Sequence, residues 1–173
     1  AVANFLVEAF GGGALGTQTA GTSFNIRLTA RDANNNTVTA FTGAGNTAQI
    51  SSTGTLSAGS GTTAAFTNGV LVSHAVTITN TGSWTITATR TAGTQTGTSV
   101  NFSVNPGAAS AAQTTASVPA GTGGAVTTIT VQAKDAFGNN RTATSGTIAA
   151  SITGANTATG NVVDNANGTY TVT

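Results

Sequence analysis

The chain is 173 residues long and carries nine charged side chains, a net charge of +1 and no cysteine. Thr, Ala, Gly, Asn and Ser fill 121 of its positions, whereas roughly a quarter of the residues of an ordinary soluble domain are charged. These figures exclude the basic footprint of a nucleic-acid binder, a disulfide framework and thiolate chemistry, and no apolar run reaches the ~18–20 residues of a membrane span.

The first ten residues, "AVANFLVEAF", lack a basic start, and Glu8 interrupts their apolar run, so they do not read as a signal peptide. They predict a strand over 4–10 and hold the densest apolar cluster, Phe5, Leu6, Val7 and Phe10. Two readings stand: the first strand of its own module, or a strand donated to an incomplete neighbour. Donation supplies main-chain hydrogen bonds plus alternate side chains and, if the contact does not close, a fibre.

Period-two alternation then runs along the chain. In 23–31 Phe24, Ile26, Leu28 and Ala30 share one face; in 83–90 Trp84, Ile86 and Ala88 do; in 99–105 Val100, Phe102 and Val104 do. Such alternation marks half-buried antiparallel strands. Strands are expected over 4–10, 23–32, 47–53, 62–67, 70–79, 83–91 and 98–105, with turns at "GGGALG", "TGAG", "SAGSG", Asn68-Gly69, "NTG" and "TAGTQTG". Seven short strands at this spacing predict an immunoglobulin-like two-sheet sandwich over 1–106. Pro106-Gly107 ends the last strand, since proline cannot donate to a ladder.

The second half repeats the first. "LTARDANNNTVTA" (28–40) aligns with "VQAKDAFGNNRTA" (131–143), and Asn68-Gly69 aligns with Asn167-Gly168. Strands are expected over 129–135, 147–153, 160–164 and 168–173, with Tyr170 and Val172 inward. No counterpart follows for the strands around Trp84 and Phe102. The expectation is all-β: two tandem immunoglobulin-like sandwiches, the second (107–173) lacking its last two strands. Tyr170 and Val172 then join Phe5, Leu6, Val7 and Phe10 as strand-exchange candidates, because an open edge is a template for another chain.

"GGAVTTITVQAKDAFGNNRTATSG" followed by "VVDNANGTYTVT" resembles the filamin-type and bacterial immunoglobulin-like repeats of surface proteins. There a strand ending in Ala-x-Asp is followed by Ala-x-Gly-Asn, and a later Asp-Asn-x-x-Gly-Thr-Tyr opens a hairpin. The resemblance implies the sandwich fold and a stalk, adhesin or other surface role, and it implies no catalytic residues.

The polar candidates are few. Asp32 and Asp135 each precede an Asn-rich turn. An Asx turn, with the carboxylate accepting backbone N–H groups, is the main reading. The alternative is Ca²⁺, with Asn35, Asn36, Asn139 or Asn140 adding oxygens, but calcium takes ~6–8 oxygens and several carboxylates. Asp164 reads as a turn residue before a tight Asn167-Gly168 hairpin, with a metal ligand as the alternative. No other cofactor is expected. His74 has the parity of Val70, Val72, Val76 and Ile78, so it is either buried and bonded or turned outward by a bulge near 73–75.

Trp84 reads as a core aromatic. Lys134, the sole lysine, has the wrong parity for a buried isopeptide link and reads as a solvated cation. "GGGALG" and "GTGG" lack the context of a phosphate cradle. Sequons at Asn35, Asn101, Asn140 and Asn167 arise readily in so Thr-rich a chain. Phe41 and Phe137 are the candidates for exposed loop aromatics, and Pro106 and Phe137 for an inter-module joint.

No nucleophile with a base, carboxylate pair or metal cluster is legible, so no enzyme is expected. The expected function is a structural module of a prokaryotic extracellular surface protein, as stalk or filament. Its expected partners are copies of itself or further immunoglobulin-like modules. An adhesin module that binds a host protein or glycan, and a phage or virion surface module, are the alternatives.

Overall fold

The computed structural model describes residues 1–153 and 157–173. All regular structure among them is β, so no helix is long and apolar enough to cross a membrane. The chain divides into two compact units, Ala1–Asn105 and Pro106–Thr173.

The first unit has eleven strands: β1 Asn4–Ala9, β2 Gln18–Thr19, β3 Phe24–Arg31, β4 Ala48–Ser52, β5 Leu56–Ala58, β6 Gly61–Thr62, β7 Val70–Ile78, β8 Gly82–Trp84, β9 Ile86–Arg90, β10 Thr96–Thr98 and β11 Phe102–Asn105. One layer runs β1-β3-β7-β5; the other is built from β10-β9-β4-β6 and β2-β11-β8. Alternation sends Ile26, Leu28 and Ala30 of β3 fully inward, together with Val76, Ile78, Ile86 and Ala88. Burying each Ile or Leu contributes about 1.5–3 kcal/mol. Phe5, Phe41 and Phe66 close one end of this core, with ring centroids 5.0–5.8 Å apart. β10 passes close to β1: a Cβ on Gly97 would lie 1.8 Å from the Phe5 carbonyl oxygen, so only glycine fits.

Several expectations change, each through tertiary pairing. The run 62–67 is not one strand; Gly61–Thr62 pairs β4 and Thr67 makes an isolated bridge to Val70, while β5 runs into the expected "SAGSG" turn. The run 83–91 splits at Thr85 into β8, which pairs β11, and β9, which pairs β4 and β10. The run 98–105 splits likewise, because Ser99 turns inward and its hydroxyl accepts the Ile86 N–H at 3.0 Å. Val100 is thereby sent outward to 61% exposure rather than to the core. Phe41, expected in an exposed loop, is buried, with Arg90 stacked 5.4 Å from its ring centroid. β2 was not legible; it adds two residues in parallel to β11.

The expected bulge lies just before His74. Ile26 faces His74 and Leu28 faces Leu71, so Val72 and Ser73 oppose Arg27 alone. The extra residue flips parity. Leu71 takes the inward position, Val72 is exposed, and His74 stays half-buried.

Among its described residues the second unit has six strands: β12 Thr115–Ser117, β13 Ile129–Gln132, β14 Ser151–Ile152, β15 Ala158–Thr159, β16 Val162–Asp164 and β17 Thr169–Val172. Its main layer runs β12-β13-β17-β16, and β14 pairs β15 apart from it. The matching ladders repeat in register: Leu28 faces Val7 and Leu71 in the first unit, and Val131 faces Ala116 and Tyr170 in the second. The expected strand over 147–153 shrinks to Ser151–Ile152, although Ile148 and Ala150 still pack on the small core of Val131, Ala133, Tyr170 and Val172. Asn167-Gly168 does not make a two-residue hairpin as Asn68-Gly69 does. β16 and β17 are joined through residues 165–168, with Ala166 at φ 58°. Gly69 and Gly168 nevertheless play one role. Each carbonyl accepts the N–H of Ala30 or Ala133, and each sits at φ near +80° against the backbone of residue 38 or 141.

Candidate functional site

The repeated motif folds into the same corner twice. Asp32 Oδ1 accepts the N–H groups of Asn34 and Asn36 at 2.9 Å each, and Oδ2 accepts Asn36 Nδ2 at 3.2 Å. Asp135 Oδ1 accepts the N–H groups of Phe137 and Asn139 at 2.9 Å each, and Oδ2 accepts Asn139 Nδ2 at 2.8 Å. The third turn residue has positive φ in both, 64° at Asn35 and 82° at Gly138. Asn and Gly are the residues that take this conformation most readily.

Asp135 has a further donor, the Gly107 N–H, 2.9 Å from Oδ2, and it is fully buried where Asp32 is only half-buried. Burial acts to raise its pKa, but the Asn139 side chain and the Gly107, Asn139 and Phe137 amides outweigh it, and the pKa lies below the usual carboxylate value. Asp32 is lowered too, chiefly by the Asn36 N–H and side chain. Carboxylates ringed by N–H donors hold a backbone corner. Among the described residues no group of three or more His, Cys, Asp or Glu could hold a metal ion.

The other candidates are dispersed. Asp164 accepts the Ala166 N–H at 2.8 Å. Glu8 accepts the Gly13 N–H at 3.2 Å and lies 3.6 Å from Arg27 on the surface. His74 Nε2 donates to the Gly59 carbonyl at 2.9 Å. Trp84 is half-buried: its ring covers Gly54 and Gly82, and Nε1 donates to the Asn80 carbonyl at 3.0 Å. Lys134 is half-buried at the end of β13.

The strand-exchange candidates divide. Phe5 and Val7 are core residues of the first unit, where β1 pairs β3 along its whole length. Leu6 is half-buried and Phe10 is exposed. Tyr170 and Val172 are buried in the second unit, and the Tyr170 hydroxyl accepts the Ser145 N–H and donates to the Gly146 carbonyl, both at 2.9 Å. Pro106 is half-buried, while the Phe137 ring is 52% exposed.

An apolar groove of about 530 Å³ lies on the second unit, lined by Val126, Ile129, Ala150, Ile152 and Val172. It lies against Ile129 and Val172 of the main layer. Ile26, the counterpart of Ile129 on β3, is fully buried in the core of the first unit, whereas the ladder counterpart of Val172 on β7 is His74, half-buried and bonded to the Gly59 carbonyl. The signal available in the sequence was the lack of counterparts to Ile86, Ala88, Phe102 and Val104.

The first unit, with mostly antiparallel sheets packed around one apolar core, has the architecture of an immunoglobulin-like β-sandwich. No family model matches the chain, and no curated protein matches it. Among solved structures it is similar to FdeC, an Escherichia coli adhesin, with a TM-score of 0.52 and 23% identity. That match covers 99% of this chain and 55% of the adhesin structure, so the chain spans about half its length. Surface layer protein SbsC, domains 4–9, follows at a TM-score of 0.41 and 20% identity, over all of this chain and 27% of that one. At such identities the likeness to FdeC speaks for the fold.

Proposed function

We propose that the chain is a non-catalytic structural segment of a prokaryotic cell-surface protein, whose immunoglobulin-like units serve as spacers in a stalk or filament. One observation carries this reading: all four carboxylates of the chain accept backbone N–H groups. An acid held in a turn is a joint of the fold rather than a proton donor or a metal ligand. The uncharged Thr, Asn and Ser surface supports an extracellular setting, and the fold is one that an E. coli adhesin also has. Antibodies raised against residues 1–105 should label intact, unpermeabilised cells of the source organism. Labelling only after permeabilisation would sink the reading.

A finer reading concerns the groove. The first unit supplies the template for what covers this face, two strands with Ile86, Ala88, Phe102 and Val104 inward. β4 has ladder partners on both sides, β6 and β9, whereas among the described residues β14 has only β15. The occupant is a strand pair of this repeat type. A synthetic peptide of residues 82–105, added to the chain, should protect the Ser151 and Ile152 amides from exchange. The same peptide with Ile86→Asp should not. Equal protection by both peptides, or by neither, would remove strand donation.

A second reading, adhesion, is favoured by the exposure of two aromatics, Phe10 and Phe137. Binding of residues 1–173 to host cells or a glycan array, lost on Phe137→Ser, would support it.

A further inference from the structure

The Asp135 corner does more than close its own turn. The turn needs three hydrogen bonds, and the Asp32 corner makes the same three from the matching residues. Asp135 alone among the two reaches a residue 28 positions earlier, the Gly107 N–H. The other side of that segment is held as well. Arg141 Nη1 donates to the carbonyls of Gly107 and of Pro106, the latter at 3.3 Å. Arg141 Nε is itself anchored on Ser145 Oγ at 2.8 Å, and the Ser145 N–H donates to the Tyr170 hydroxyl.

Pro106 and Gly107, the first two residues of the second unit, are therefore bonded through one N–H and both carbonyls. In the first unit the place of Arg141 is taken by Val38. The backbone bond is the same, Val38 N–H to Ala30 and Arg141 N–H to Ala133, but Val38 has no donor to offer. The guanidinium is thus an addition to the repeat rather than part of its fold.

We infer that Asp135 and Arg141 form a latch that ties the entering segment Pro106–Gly107 to the end of β13, and that load arriving at this unit is carried there. The alternative bearers are the Ala109–Asp135 bridge, with its Ser110 N–H to Lys134 carbonyl bond at 2.7 Å, and β12, three exposed residues on the edge of the layer. Hydrogen bonds to ionised groups are about twice as strong as neutral ones, and the burial of Asp135 removes water as a competitor. The latch stands on geometry; its load-bearing role rests on the stalk reading.

Hydrogen exchange on residues 1–173 tests the latch. The Gly107 amide should exchange at least 100-fold more slowly than in an unfolded chain. Arg141→Met should speed it at least tenfold while Phe137 and Asn139 keep their rates. An unprotected Gly107 amide, or a rate unmoved by Arg141→Met, overturns the latch. Should Arg141→Met unfold the unit, Arg141→Lys replaces it. Lysine keeps the charge but loses the fork, so Gly107 should still exchange faster, and an unchanged rate again overturns the latch. Single-molecule pulling tests the load. Arg141→Met should lower the unfolding force of the second unit and leave that of the first; unchanged forces overturn the load-bearing role. Absence of surface labelling would remove the stalk reading without touching the amide rates.

Discussion

The two units share one layer and one corner but differ in what lies over that layer. In the first, β3 and β7 are covered by β9 and β11, and nineteen apolar residues are buried in a single cluster. In the second, the equivalent strands bury four, Val131, Ala133, Tyr170 and Val172, beside an open groove. The first strands differ in the same sense: Val7 is buried on β1, whereas Ala116, its ladder counterpart on β12, is exposed. Backbone pairing and Asx corners are thus repeated in the two units, whereas the extent of burial among the described residues is not. A unit with so small a core leans on hydrogen bonds to hold its shape.

The comparison can be measured directly, because the one tryptophan, Trp84, reports on the first unit and the one tyrosine, Tyr170, on the second. The largest expected effect is Leu28→Ala, which leaves a cavity in a closed core and should cost about 3–4 kcal/mol in denaturant unfolding followed at Trp84. Val131→Ala, its counterpart beside the groove, should cost about 1 kcal/mol in the transition followed at Tyr170. Equal costs would mean that the second unit is as well packed as the first.

Gly69→Ala and Gly168→Ala come next and should behave alike. Each Cβ would meet backbone at a positive φ, within 2.6 Å of the Val38 oxygen or 2.0 Å of the Arg141 oxygen. Each should lose more than about 1 kcal/mol in its own unit. A tolerated Gly168→Ala would break the equivalence of the two hairpins.

Asp135→Asn should cost the second unit about 2 kcal/mol, since a buried carboxylate loses charge-assisted bonds, and Asp32→Asn should cost the first unit less. The pH dependence follows. The folded pKa of Asp135 lies below its unfolded value of about 3.9, so its contribution is complete above that value and is lost as pH falls through the folded pKa. Acid titration followed by Tyr170 fluorescence should show the native second unit losing stability below about pH 4, with that slope reduced in Asp135→Asn. Glu8→Gln should have the smallest effect, no more than about 0.5 kcal/mol and vanishing in high salt, because its pairing with Arg27 is at the surface.

Strand β3, the repeat, the Asp corners and the glycine pair were legible because each is a local pattern. Alternation at Ile26, Leu28 and Ala30 states which face is inward, and Asp-x-Asn-x-Asn or Asp-x-Phe-Gly-Asn carries its own turn. The bulge at Val72–Ser73 was half legible, since parity alone shows that His74 is anomalous but not where the extra residue sits. Phe41 and Val100 were misread because their burial depends on distant partners, Phe5 and Phe66 for one and the inward turn of Ser99 for the other. The Asp135 corner was read as a turn, but nothing local marks Gly107 or Arg141 as its partners.

The sequence by itself determined the all-β class, the two related units and the residue types at their corners. Those properties follow from side-chain period and from backbone conformations open to Gly and Asn. Tertiary structure alone decided which strands change layer, where Trp84 and Ile86 part company, and how the entering segment is held. Each of these is a pairing between residues far apart in the chain, such as Gly107 with Asp135, whose energy is realised only once the backbone has brought them together.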